Sequence, residues 1–272
     1  MRRRAGSLLR AFAVPLAVLL AWDLACRAGL FSPLILPSPG QVVRRWVAYA
    51  SPLSPYDPAQ GSYLAWLASG ELWGDAAGSL YRVVLGFLLG AGLALPLGLL
   101  MGARTSIYEL LNPLLQVLRP IPPIAFIPLA ILWFGLGNPP AFFLIALGTF
   151  FPVLVNTVAG VRNVDGIYLR AARNLGAGEL TVFRRVMLPG AMPYVLAGMR
   201  VGIGIAFIVV IVAEMTAVNR GLGYRILEAR EYFWSDKIIA GMITIGLIGL
   251  AIDGLMGRLN ARMLRWRRGI EE

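Results

Sequence analysis

The chain of 272 residues contains no histidine, one cysteine and one lysine. Without histidine it lacks the commonest acid–base group and the commonest metal ligand of proteins, so most catalytic constellations lose a member. Cys26 alone cannot build a disulfide framework or a cysteine-based metal site, and we interpret it as a small buried hydrophobe. Lys237 is followed by Ile238, so no G-x-x-x-x-G-K-[ST] loop is present to hold ATP. The sequence therefore predicts neither an enzyme nor a chain that binds a cofactor itself.

Apolar residues dominate instead. They make up 58% of the chain, and the mean hydropathy is +0.72, whereas soluble domains contain roughly 45–50% apolar residues. This composition is typical of an all-α integral membrane protein surrounded by lipid. The net charge of +11 could also indicate a nucleic-acid partner, but the arginines gather in short segments that flank apolar blocks. We therefore interpret the basic balance as membrane orientation and predict no nucleic-acid binding.

The pattern of apolar runs and helix breakers predicts about six membrane-spanning helices. They are placed at residues 11–31, 79–102, 107–136, 139–161, 194–217 and 238–257, between an N-terminal tail at 1–10 and a C-terminal tail at 258–272. The N-terminus also resembles a signal peptide, but no small-x-small cleavage site follows its Leu-rich core, so we favour a first span. Six prolines in residues 32–78 predict an external loop with short interfacial helices at 40–50 and 62–72.

Polar and proline residues within the spans are candidate functional positions, because polar groups inside a membrane mostly face other helices or a water-filled pathway. Five prolines in the third span predict a bend near residues 119–123, which must avoid lipid because the freed backbone groups need partners. Arg119, at this bend, is a candidate pathway residue. Asn156 either forms an interhelical hydrogen bond or lines the pathway. Glu214 either faces a cavity between two copies of the chain or binds loop amides near the membrane surface.

The distribution of basic residues predicts the orientation. Fifteen arginines lie in the two tails, the turn at Arg104 and the segment 162–185, against six Arg or Lys residues in the opposing loops. By the positive-inside rule both termini and the segment 162–185 are cytoplasmic.

The segment 165–189 is a polar, arginine-bearing stretch between two long apolar blocks. Its apolar residues recur with helical spacing on either side of Gly176, which can adopt the left-handed geometry that ends a helix. Glu179 lies in the first turn of the following piece, where the helix dipole favours an anion, and Pro189 is expected to end that piece. The sequence thus predicts a hairpin of two short amphipathic helices that needs a covering partner.

This hairpin also resembles a known element. Its matching residues are Arg170, Ala171, Ala172, Gly176, Val186, Leu188 and Pro189, at the spacing of the EAA loop (E-A-A, three residues, G, nine residues, I-x-L-P) of ABC importer permeases. Arg170 replaces the Glu, and Val186 replaces the Ile. Further similarity to the nitrate/sulfonate/taurine branch lies in LPSP at 36–39, SLYRVVLGF at 79–87, LRPIPPIAFIPLAILWFGLG at 118–137, AEM at 213–215 and GLGY at 221–224. Residues 51–62 look like an insertion.

The resemblance implies a type I ABC importer permease fold in a bacterial inner membrane. It also implies partners: two cytoplasmic ABC ATPase subunits that bind ATP and Mg²⁺ and receive the 165–189 hairpin, an extracytoplasmic solute-binding protein, and a second, identical permease chain. The expected cargo is a small anionic solute of the nitrate, sulfonate or taurine kind. The alternative is an autonomous channel or secondary carrier, which would call for paired ionisable groups at mid-membrane or inverted repeats. A membrane enzyme or scaffold would lack any catalytic constellation in this sequence.

Overall fold

A computed structural model of the protein describes residues 2–56 and 62–265, and within these ranges all regular structure is helical. The helices are α1 Arg2–Arg27, α2 Pro39–Ala50, α3 Tyr63–Leu67, α4 Glu71–Ala103, α5 Thr105–Leu118, α6 Ile127–Phe134, α7 Asn138–Arg162, α8 Gly166–Asn174, α9 Glu179–Val182, α10 Leu188–Ala217, α11 Leu222–Glu231 and α12 Ser235–Met263. A 3₁₀ turn at Pro123–Phe126 precedes α6, and a π-helical turn at Phe183–Met187 joins α9 to α10.

Four helical segments of the described chain are long and apolar enough to cross a membrane. They are Glu71–Ala103, Asn138–Arg162, Glu179–Ala217 and Ser235–Met263. A fifth candidate is the pair α5 and Pro123–Phe134, which is bent by 79° where the proline cluster predicts a bend. The predicted first span, 11–31, coincides with much of α1, which ends at Arg27 in an ion pair of 2.7 Å with Asp23. The count of about six spans stays a prediction.

Three of these helices, α4, α7 and α10, pack together and form the core of the bundle. Glycines at four-residue spacing on α4 allow its backbone to approach α7 closely: a Cβ at Gly86 would lie 2.6 Å from Ile145, and one at Gly98 would lie 2.8 Å from Thr157. Such small-residue faces are typical of helix packing in membranes, where close contact replaces the hydrophobic effect. We name the two ends of the bundle after the ends of α7, as the Asn138 end and the Arg162 end.

The helix boundaries depart from the sequence prediction at two places. Helix α4 begins at Glu71 instead of residue 79, because no proline interrupts the chain between Pro58 and Pro96. The prediction that Pro189 ends the second hairpin helix is wrong, since residues Glu179–Ala217 run on as one helical segment. Pro189 occupies the first turn of α10, where its missing N–H costs least, and the preceding π turn brings the Leu188 N–H to the Phe183 carbonyl.

Candidate functional site

The first arm of the 165–189 hairpin is α8, which has a defined cap at each end. The Asp165 side chain accepts a hydrogen bond of 2.9 Å from the Ile167 N–H and caps the start of the helix. At the other end Gly176 has φ +81°, its N–H donates to the Arg173 carbonyl at 2.9 Å, and the Ala177 N–H donates to the Ala172 carbonyl at 3.1 Å. This pair of bonds is a Schellman motif, so the sharp turn predicted at Gly176 is present.

The second arm joins the hairpin to the membrane-spanning bundle. Val182 in α9 is buried, and the π turn that follows leads without a break into α10. Val186, Leu188 and Pro189 are half-buried along this junction. Pro189 was expected to end a helix, but it lies where the hairpin continues directly into α10.

The hairpin follows α7 in the chain, and several of its apolar side chains are exposed. Leu175 is 88% exposed and Leu180 is 68% exposed, and Ile167 and Tyr168 are exposed as well. Ala171 lies on the exposed surface beside them, whereas Ala172 is half-buried. Exposed large apolar side chains on both arms of this short hairpin indicate a surface that another protein covers.

Arg170, which stands where the EAA loop has Glu, is exposed and folds back along its own helix. Its guanidinium lies so close to Gly166 that a Cβ there would be 3.1 Å from Nη1. The Arg170 side chain thus covers part of α8 and leaves the apolar tip of the hairpin open.

A cavity of about 740 Å³ lies between α5 and α7 and extends toward the Arg162 end of the bundle. Arg119, the pathway candidate at the bend of the third span, contributes to its lining. Arg162 also lines it, and its guanidinium lies 4.1 Å above the ring of Tyr108. The structure therefore places one of the three predicted pathway residues at a cavity.

The other two pathway candidates lie elsewhere. The Asn156 amide donates to the Pro152 carbonyl of its own helix at 2.8 Å and packs against α10, where a Cβ at Gly198 would lie 2.6 Å from the Asn156 Cβ. It is absent from the lining of the cavity among the described residues. The side-chain amide of Asn156 therefore bonds within α7 and not across helices, and its place on the pathway stays a prediction.

Glu214 is fully buried at the Asn138 end of the bundle. Its carboxylate lies 2.7 Å from the Arg82 guanidinium and accepts hydrogen bonds from the Ser79 hydroxyl at 2.9 Å and the Gly223 N–H at 2.8 Å. Arg82 in turn donates to the Asn138 side chain at 2.7 Å. Of the two interpretations offered for Glu214, the structure shows the contact with a loop amide, that of Gly223. Glu214 joins α4, α10 and the loop before α11.

Asp75 extends this buried polar cluster. It accepts hydrogen bonds from the Tyr49 hydroxyl at 2.7 Å, the Gly221 N–H at 2.9 Å and the Arg225 guanidinium at 2.8 Å. Burial and the bond to Asp75 raise the pKa of Tyr49, so its hydroxyl stays protonated and donates. The cluster holds α2, α4 and α11 together at the Asn138 end.

Sequence reasoning missed Asp75 and Arg82 as members of this cluster. A signal was present: Asp75, Ser79 and Arg82 follow one another at helical spacing and therefore share a face of α4. An arginine inside an apolar helix also demands a partner, and Glu214 was one of the few acids available within the spans.

Comparison with known proteins places these features in context. Residues 94–265 match a family model described as binding-protein-dependent transport system inner membrane component. The chain is 36% identical to the putative aliphatic sulfonates transport permease protein SsuC of Bacillus subtilis (strain 168), with 99% of this chain and 91% of that protein covered. It is 34% identical to the taurine transport system permease protein TauC of Escherichia coli (strain K12), covering 94% of this chain and 89% of TauC.

Two further comparisons concern an oxyanion transporter and a solved structure. The nitrate import permease protein NrtB of Leptolyngbya laminosa is 34% identical over 72% of this chain and 70% of its own length. Among solved structures, an inward-facing conformation of the MetNI methionine ABC transporter aligns with a TM-score of 0.60 at 16% identity, covering 75% of this chain and 99% of that one. At this identity the match concerns the fold alone, and it agrees with the helical architecture described above.

Proposed function

Since the chain belongs to the binding-protein-dependent transport system inner membrane components and is the permease subunit of an ABC importer with the type I fold, we propose that two copies form a pathway for a small anionic solute. The proposed cargo is of the sulfonate, taurine or nitrate class. The names of three relatives, which concern aliphatic sulfonates, taurine and nitrate, support this class because all three solutes carry an anionic oxygen group.

The observation that carries the proposed mechanism is the set of exposed apolar side chains on the hairpin, Leu175 and Leu180 beside its turn and Ile167 and Tyr168 in the first turn of α8. We infer that each hairpin inserts these side chains into a groove of a cytoplasmic ATPase subunit. Burying apolar side chains contributes about 25 cal/mol per Å² of area removed from water, so four such side chains provide a strong contact. ATP and Mg²⁺ then bind to the two ATPases, hydrolysis occurs there, and this chain binds no cofactor.

The orientation follows from the charge distribution. With both termini and the hairpin in the cytoplasm, α2, α11 and the loops at the Asn138 end face outward, where an extracytoplasmic solute-binding protein delivers the solute. Lipid surrounds the remaining apolar faces of the spans.

Transport is then an alternation between inward-open and outward-open states that ATP-driven movement of the ATPases controls. Because Glu179–Ala217 is one helical segment, a displacement of α9 acts directly on α10 without an intervening flexible loop. Helix α10 packs along α7 and α4, so the movement reaches the core of the bundle.

Recruitment of the ATPase tests the hairpin assignment. Leu175→Asp places a charge where an apolar contact is proposed, and we expect normal membrane insertion with loss of ATPase co-purification. Leu53→Asp is the matched control, because Leu53 is 79% exposed in the loop after α2 at the other end of the molecule. Equal recruitment by both variants would reject the hairpin as the ATPase contact.

Reconstitution tests the transporter class. Vesicles that contain the chain with its ATPase, supplied with loaded binding protein and ATP, should accumulate solute, whereas vesicles that contain the chain alone should not. Solute flux through the chain alone would favour the alternative of an autonomous channel or carrier.

A further inference from the structure

The cavity between α5 and α7 reaches from the Arg162 end of the bundle to the bend of the third span. Its walls include both polar and apolar side chains. The lining includes the polar residues Asn112, Gln116, Arg119 and Arg162 and the apolar residues Leu154 and Val155. Arg119 directly follows α5, which has 14 residues and begins at Thr105 beside the end of α4. At 1.5 Å per residue, Arg119 lies about 20 Å along the helix axis from that end, within the bent pair of helices that is a candidate span.

The charge of the cavity is unbalanced. Arg119 and Arg162 contribute two guanidinium groups, Asn112 and Gln116 contribute amides, and none of the described residues in the lining is acidic. Within residues 2–56 and 62–265 neither arginine forms an ion pair, and the contact that Arg162 makes is the one with the Tyr108 ring. Arg119 thus presents an uncompensated positive charge to the cavity.

Two other arginines within the spans have carboxylate partners. Arg82 is paired with Glu214 at 2.7 Å, and Arg200 is paired with Asp253 at 2.6 Å. A charge at membrane depth is costly unless it is paired or faces water, and the same chain provides a carboxylate for each of these two. An arginine of a candidate span that has no carboxylate partner among the described residues is therefore best explained by a ligand that supplies the negative charge.

We propose that this cavity is an anion-selecting site on the transport pathway, in which Arg119 binds the oxyanion group of the solute. Gln116 and Asn112 donate further hydrogen bonds to its oxygens, because both lie on the same face of α5, at i−3 and i−7 from Arg119. Phe151, Leu154 and Val155 form an apolar wall that suits a tail of a few carbon atoms. Arg162 attracts anions at the mouth. This inference rests on the proposed function and adds that the permease itself selects for negative charge.

Cysteine labelling measures this selectivity without knowledge of the natural solute. Gln116→Cys is prepared in a Cys26→Ala background, and the permease–ATPase complex reacts with 2-sulfonatoethyl methanethiosulfonate or with its trimethylammonium counterpart. The first reagent carries an ethanesulfonate group and is itself an anionic probe. We expect the ratio of anionic to cationic reaction rates to exceed that of Leu53→Cys, an exposed control in the loop after α2, by about tenfold, because nearby positive charge concentrates anions in a cleft.

Two second-site variants test whether Arg119 causes the charge selectivity of labelling. Arg119→Gln should lower the rate ratio at Gln116→Cys by about tenfold, whereas Arg104→Gln, which removes an exposed arginine outside the cavity lining, should leave it unchanged. An unchanged ratio in Arg119→Gln would overturn the proposal.

Protection experiments separate a solute from a lipid headgroup, which offers similar oxyanion chemistry. Millimolar butanesulfonate should slow labelling of Gln116→Cys more than equal concentrations of sodium chloride or butanol. Protection by phosphatidylglycerol in nanodiscs, with none by butanesulfonate, would assign the site to lipid and overturn the proposal.

ATPase co-purification and ATP-dependent uptake by the complex without cavity substitutions are measured in parallel. Their failure would reject the proposed function, whereas a normal result with no Arg119 effect would reject this site alone.

Discussion

Arg82 Nη1 and Glu214 Oε1 lie 2.7 Å apart, and the two side chains are 7% and 0% exposed. Both groups have further partners: the Ser79 hydroxyl and the Gly223 N–H donate to Glu214, and the Asn138 side chain accepts from Arg82. A buried ion pair with this many partners fixes one arrangement of α4, α10 and the loop before α11, because removal of either member leaves a buried charge uncompensated.

The first prediction concerns this pair. Arg82→Met and Glu214→Leu should each destabilise the protein by about 3–5 kcal/mol, and the double variant should lose less than either alone, because it leaves no unpaired charge. Thermal unfolding in detergent, followed by the yield of monodisperse protein, measures the effect. Additive losses in the double variant would show that the two side chains act independently.

The second prediction concerns the two-bond contact between Arg200 and Asp253, at 2.6 Å for each bond. Both side chains are about half exposed in this chain, although each lies within a membrane-spanning helix, so we expect them to face protein or water in the assembled transporter. Arg200→Asp should reduce the yield of folded protein because it sets two acids side by side. The charge swap Arg200→Asp with Asp253→Arg should restore much of the yield. Arg262→Asp, an exposed position near the end of α12, is the control, and an equal loss there would contradict a pair-specific effect.

The third prediction concerns topology. In a Cys26→Ala background expressed without the ATPase subunit, Leu53→Cys should react with an impermeant thiol reagent added to intact spheroplasts, whereas Leu180→Cys should react after lysis alone. Both leucines are well exposed, at 79% and 68%, so a difference in labelling reports the side of the membrane and not burial. Labelling of Leu180→Cys from outside would invert the proposed orientation.

The fourth prediction concerns the turn of the hairpin. Gly176 has φ +81°, so Gly176→Val forces a β-branched residue into a backbone geometry that it rarely adopts, although open space surrounds the position. Ala172→Asp places a charge on a half-buried side of α8. Both variants should insert normally into the membrane, since neither position lies in a span, but both should lose substrate-stimulated ATP hydrolysis. Gly178→Ala, which has negative φ and open space, is the matched control. Stimulation equal to that of the unmodified chain in both Gly176→Val and Ala172→Asp would contradict a coupling role.

Features that depend on neighbouring residues in the chain could be predicted from the sequence. The turn at Gly176 follows from glycine's access to positive φ, and the 79° bend follows from prolines that remove backbone donors near Arg119. Pro189 misled the prediction because a proline ends a helix or begins one according to what precedes it, and a π turn is not visible in the residue pattern.

Contacts between distant residues could not be predicted in the same way. Arg82 and Glu214 are 132 positions apart, so the spacing of either residue within its own helix says nothing about the other. Asn156 illustrates the opposite case: its polarity suggested a partner across helices, but its side-chain amide donates to the Pro152 carbonyl of its own helix, one turn earlier.

The continuity of Glu179–Ala217 has a mechanical consequence. Its 39 residues correspond to about 58 Å of helix, nearly twice the thickness of the hydrocarbon layer, so much of it extends beyond the lipid on the hairpin side. A Cβ at Gly198, about halfway along the segment, would lie 2.6 Å from the Asn156 Cβ, so α10 and α7 are in close contact there. We expect the segment to pivot about this contact, so that a displacement of the hairpin end by a few ångströms moves the other end, which bears Glu214, by a similar distance in the opposite direction.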